Sequence, residues 1–130
     1  MLVTTTRMKL ANTAIHSCLE EHRAKGHRIV LLSNSLDAVV APIAHALEVE
    51  YRASELEYRG DVCTGALRRD LTGRKASLLE ELTGGSHPQL YVYTDNRSDS
   101  DLLEAADFPV LVLSQQRRIW GKPEWKKIRV

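Results

Sequence analysis

The sequence is poor in aromatic residues, with one phenylalanine, two tryptophans and four tyrosines among 130 residues, so its core must be largely aliphatic. It has only two cysteines, Cys18 and Cys63, far apart and with no ligand partner nearby. That argues against a disulfide framework and favours a reducing, cytoplasmic setting. The five histidines, His16, His22, His27, His45 and His87, are scattered without zinc-site spacing. Charge of one sign is not in excess: the formal net charge is +1, which points away from nucleic acid as a partner of the whole molecule. No apolar run approaches the ~20 residues of a membrane helix. The opening MLVTTTRMK is too polar for a signal peptide. No membrane role is expected. A further lack matters later: no aspartate precedes Asp37.

The length suits one ordinary domain. Residues 1 to about 8 carry no clear pattern. From Met8 to Lys25, Leu10, Ala14, Ile15, Cys18 and Leu19 follow helical spacing, and Gly26 is a natural stop. His27 to Leu32 reads as a strand buried on both faces, ended by Ser33-Asn34-Ser35. A helix over Asp37–Leu47 follows, in which Pro42 fits only near the first turn. Val49–Arg52 reads as a short strand, and Leu56–Tyr58 with Val62–Thr64 as a separate hairpin about Arg59-Gly60-Asp61. A third helix is expected from Thr72 or Gly73 to Leu82. Leu90–Thr94 and Phe108–Leu113 are strands, with Ser98 an N-cap for a helix between them. The order describes a three-layer α/β domain with a mainly parallel sheet.

In such sheets, ligand-handling groups lie just past the carboxyl ends of strands. Ser33-Asn34-Ser35 and Asp95 both fall there. A hydroxyl and a helix N-terminus would suit an anion. The carboxylates Asp95 and Asp99 would suit Mg²⁺, a hard cation that favours oxygen. Lys75, at the start of the third helix, would add a fixed positive charge. Together these groups suit phosphoryl chemistry. Each also has a plainer reading: a turn serine, a solvated lysine, and an acidic loop that merely caps a helix.

Three stretches in order resemble the haloacid dehalogenase superfamily, in its phosphoserine-phosphatase-like branch. Ile29-Val30-Leu31-Leu32-Ser33-Asn34-Ser35 resembles the second motif, Asp61-Val62-Cys63-Thr64-Gly65 with Gly73-Arg74-Lys75 the hairpin and third motif, and Tyr91-Val92-Tyr93-Thr94-Asp95-Asn96-Arg97-Ser98-Asp99 the fourth. The resemblance covers about residues 10 to 125 and implies a single, partial domain over 1–130. It implies that Ser33, Asn34 and Lys75 face a phosphate or a phosphorylated small molecule, with Lys75 in a catalytic role. Asp95 and Asp99 would serve Mg²⁺ and its waters. Thr94 and Asn96 stand where the family often has Gly and Ser.

One departure is large. The family's first motif is an Asp-x-Asp pair closing an early strand, whose first Asp is the nucleophile. Asp99-Ser100-Asp101 is the one such pair here, and it enters a helix instead. The expectation is therefore a Rossmann-like core whose N-terminal strand and cap are missing, as in a truncated chain. It should lack turnover, and a homodimer or a complementing chain should fill the gap. The alternative is a non-catalytic phosphate-binding or protein-interaction module on the same fold. Arg117, Arg118, Lys122, Lys126, Lys127 and Arg129 near Trp120 and Trp125 raise nucleic-acid binding. A terminal helix or strand with core-packed tryptophans explains them better.

Overall fold

The computed structural model describes residues 2–5, 13–71, 74–114 and 118–129. Its elements in chain order are β1 (Leu2–Thr5), α1 (Thr13–Ala24), β2 (Ile29–Leu36), α2 (Asp37–Leu47), β3 (Glu50–Arg59) and β4 (Val62–Arg69), then α3 (Lys75–Thr83), β5 (Tyr91–Thr94), a 3₁₀ turn (Arg97–Asp99), α4 (Ser100–Ala105), β6 (Phe108–Leu113) and β7 (Lys126–Arg129). The seven strands form one sheet in the order β4-β3-β2-β1-β5-β6-β7. All neighbours pair in parallel except β3 and β4, which form the antiparallel hairpin.

β1 overturns one expectation. The first core strand is present, and it occupies the centre of the sheet. Leu2 to Thr5 pair with Ile29 to Leu32 on one side, and Leu2 to Thr4 with Tyr91 to Tyr93 on the other. No gap is left between β2 and β5 for a complementing chain to fill. The segment was hard to read because four residues are too few to show a period, although Leu-Val-Thr-Thr is good strand composition.

The strictly alternating strand faces sort the core into two sides. Val30, Leu32, Val92 and Leu111 pack with Leu78 and Leu82 of α3 and Leu102 and Leu103 of α4. Ile29, Tyr93, Val110 and Val112 pack with Ile15 and Leu19 of α1, and Leu31 and Ala53 with Val40 and Ala44 of α2. Helices thus cover both faces of the sheet, giving three layers. Val30, Leu31 and Leu32 are fully buried, as expected for a central parallel strand.

Four local expectations are corrected. Ser33-Asn34-Ser35 does not end β2: the strand runs on to Leu36, which pairs with Ser54 after a break in register. Val49–Arg52 and Leu56–Tyr58 belong to one ten-residue strand, β3, parallel to β2 in its first half and antiparallel to β4 in its second. Pro42 lies inside α2. It sits on the exposed side of the helix, where the carbonyl that its missing N–H leaves unpaired is open to solvent. Ser98 is not an N-cap. Asn96 caps the 3₁₀ turn before α4 instead, its side chain accepting from the Ser98 N–H at 3.1 Å.

The basic tail ends in β7, and Trp125 is buried in the core cluster with Trp120 packed against it. A buried Trp125 offers no face to a base. Among the described residues, no helix is long and apolar enough to cross a membrane.

Candidate functional site

The order of strands reverses at β1: the chain moves outward through β2 and β3, then returns to β5 and β6 on the other side. The carboxyl ends of strands at such a reversal form the natural ligand crevice of an α/β sheet. Three elements bring polar groups there. β2 delivers Ser33, one residue beyond Leu32, the partner of Thr5. β5 delivers Thr94 and then Asp95. The first residue of α3 is Lys75.

Lys75 and Asp99, 24 positions apart in sequence, form a buried ion pair. The Lys75 Nζ lies 3.0 Å from Asp99 Oδ1 and 3.4 Å from Oδ2, with side chains 8% and 2% exposed. Thr94, fully buried, donates its hydroxyl to Asp99 Oδ2 at 2.6 Å and accepts the Asn96 N–H at 3.1 Å. Asp99 stands at the N-cap position of α4 but makes no capping hydrogen bond with its side chain, which is turned to Lys75 instead. A lysine at a helix start is disfavoured by the macrodipole, and a buried carboxylate facing it offsets both positive sources.

Ser33 is fully buried, and its Oγ accepts the Ser35 N–H at 3.0 Å. Asn34 is exposed and Asp95 half-buried. Beside this edge a cavity of about 390 Å³ opens at the start of α2, lined by Asp37, Tyr51, Arg52, Glu55, Arg69 and Leu71. Sequence reasoning missed Thr94 as a functional group and missed this cavity. The first was legible only as a departure from the family pattern. The second depends on β3 running on past the end of its pairing with β2.

The structure brings Lys75, Asp99 and Thr94 into direct contact. Ser33 and Asn34 lie on β2 just past Leu32, the last residue paired with β1. The position beside them, where the family's nucleophile would close the central strand, belongs to β1, whose described residues end in Thr4-Thr5.

The donor set was tested against a resident magnesium ion. Mg²⁺ takes one or two carboxylates, waters and substrate phosphate oxygens. Asp99 has one oxygen on Lys75 and the other on Thr94. Among the described residues no group of three or more His, Cys, Asp or Glu converges as a metal site. Asp99, held in this way, does not fit a resident magnesium ion.

The comparisons agree with the geometry. No curated protein matches the chain significantly. Several solved structures share the fold. A protein of unknown function from Bordetella pertussis Tohama I superposes with a TM-score of 0.72 at 23% identity, over 90% of this chain and 57% of the other. A HAD family hydrolase from Salmonella enterica serovar Typhi gives 0.65 at 19%, over 77% and 36%. A phosphoserine phosphatase from T. onnurineus gives 0.63 at 24%, over 92% and 53%. The chain thus spans between about a third and just over half of these proteins. The model of the haloacid dehalogenase-like hydrolase family matches residues 3–104, from β1 into α4. With most of the chain matched and a parallel core of the expected order, the protein belongs to the haloacid dehalogenase-like hydrolase family, with a fold consistent with its phosphoserine-phosphatase-like branch.

Proposed function

We propose that this chain is a non-hydrolytic member of its family that keeps a weak site for a phosphate or phosphomonoester group. One observation carries the reading. Lys75 and Asp99 form a buried pair past the end of β5, while the described residues of the central strand β1 end in Thr4-Thr5 and the sequence has no aspartate before Asp37. In-line phosphoryl transfer in this family needs a covalent aspartyl nucleophile. Electrostatic groups that remain would bind an anion without cleaving it.

The roles follow from position. Ser33 and Asn34 would hydrogen-bond phosphoryl oxygens, and Lys75 would offset their charge. Lys75 is outnumbered by Asp95 and Asp99, so affinity should be low, in the millimolar range. The cavity at Arg52 and Arg69 would receive the rest of a phosphorylated small molecule. The two free cysteines fit a reducing, cytoplasmic setting.

The test is a titration of ¹⁵N-labelled protein with inorganic phosphate, followed by amide shifts. Shifts centred on Ser33, Asn34 and Arg74–Lys75, and lost in Ser33→Ala, are expected. Absence of any shift at 20 mM phosphate (a concentration of about that order saturates a millimolar site) would sink the phosphate reading. A second reading, a protein-interaction module, is favoured by the hairpin, where Tyr58 is 54%, Val62 69% and Leu67 43% exposed. β4 is also an edge strand. Sedimentation at micromolar concentration distinguishes self-association through this hairpin from a monomer.

A further inference from the structure

Thr94 ends β5 where the chain turns into the acidic loop, and its hydroxyl is committed in both directions. It donates to Asp99 Oδ2 at 2.6 Å and accepts from the Asn96 N–H at 3.1 Å. The donated bond is in the range of a charge-assisted O–H···O⁻ contact, the stronger kind. Asp99 is thereby held between two donors, Lys75 on Oδ1 and Thr94 on Oδ2, with its side chain 2% exposed. A carboxylate whose charge is offset by a buried lysine, and whose two oxygens each already accept a donor, attracts a hydrated dication weakly. To coordinate one, or to hold its waters, it would have to leave a neutralising lysine and a short hydroxyl bond, both shielded from solvent. The same hydroxyl also fixes the loop, because the Asn96 N–H it accepts is followed by the Asn96 side-chain cap on Ser98.

We propose that Thr94 is a positioning residue that locks Asp99 onto Lys75 and so closes this carboxylate to divalent cations. This rests on the donor geometry and stands whether or not phosphate binds. The lock differs from a structural hydrogen bond in one measurable respect: releasing it should create cation affinity, whereas loss of a merely structural bond lowers stability and gains nothing.

The experiment uses Mn²⁺ as an oxygen-seeking paramagnetic probe, with bound ion read from loss of the free-ion EPR signal. The wild-type chain, Thr94→Val and Thr94→Ser are compared, and folding is checked by amide spectra. Thr94→Val keeps the branched shape and removes the hydroxyl, and Thr94→Ser keeps the hydroxyl. The wild type and Thr94→Ser should show no binding below millimolar Mn²⁺. Thr94→Val should bind at least about tenfold more tightly, equivalent to about 1.4 kcal/mol, and adding Asp99→Asn should abolish the gain. Micromolar Mn²⁺ binding by the wild type overturns the proposal by itself, even if Thr94→Val fails to fold. Equal affinities in a folded Thr94→Val and the wild type overturn it as well. Phosphate shifts measured without metal test the proposed function separately, because they do not depend on Mn²⁺.

Discussion

Replacing Lys75 by methionine should destabilise the protein far more than breaking any exposed ion pair. Methionine fills much of the lysine stem's volume, so the substitution removes charge and hydrogen bonding with little change in packing. It leaves the Asp99 carboxylate, 2% exposed, with the Thr94 hydroxyl as its one remaining partner in the cluster. Breaking a buried pair by removing one member costs about 3–5 kcal/mol, because a charge is left unpaired out of water. Domains of this size have about 5–15 kcal/mol in total, so the variant should fold but sit close to its margin. With a urea slope of about 1–3 kcal/mol/M, the unfolding midpoint should fall by about 2 M. The Arg69–Glu81 pair provides a control at 2.9 Å with side chains 40% and 64% exposed. Glu81→Gln there should cost less than about 1 kcal/mol. Adding Asp99→Asn to Lys75→Met removes the stranded charge and should recover at least half of the loss. A cost below about 1 kcal/mol for Lys75→Met, matching the surface control, would refute the argument that Asp99 is held as a buried anion.

Two further perturbations test the packing of the fold. Burial first, then the nearby His27 and Lys25, hold the His22 imidazole below its ordinary value of 6.5. The unfolded chain therefore takes up this proton first, and stability should be complete above about pH 6.5 and decline as pH falls below it, by up to about 1.4 kcal/mol per pH unit. His22→Gln should flatten that part of the urea-midpoint profile, and an unchanged slope would contradict the assignment. Gly121 has φ +84°, and a Cβ there would lie 2.6 Å from the Trp125 ring and 2.9 Å from Leu111. Gly121→Ala should cost about 2–4 kcal/mol in the same assay through backbone strain and overpacking, and a neutral result would show that Trp125 is not tightly seated.

The fold was legible in the sequence where one signal spoke alone. Ile29–Leu32 and Val110–Leu113 are continuous apolar runs and became buried strands, and the turn at Gly60 closed the hairpin as expected. Legibility failed where tertiary pairing decides. β1 is four residues long and half threonine, and its place is set by the two strands it joins. Ser33 to Ser35 reads as a stop because it is polar, yet the backbone stays extended to reach Ser54 on β3. The site was half visible. Ser33, Lys75 and Asp99 were named from motif order, but that Lys75 and Thr94 both seize Asp99 is a fact of three-dimensional proximity. Asp99 stands at the N-cap of α4, but its side chain makes no capping bond and turns to the lysine instead. The resemblance also suggested a hole in the sheet, because an absent aspartate was read as an absent strand. The strand is there without the carboxylate.

The central claim is that this strand carries no nucleophile and the chain therefore does not turn over phosphomonoesters. The most direct measurement is hydrolysis of p-nitrophenyl phosphate by the purified chain, with and without Mg²⁺, alongside Asp95→Ala. The account predicts rates at the buffer background in every condition, unchanged by the substitution. Sustained, Mg²⁺-dependent turnover that Asp95→Ala abolishes would contradict it.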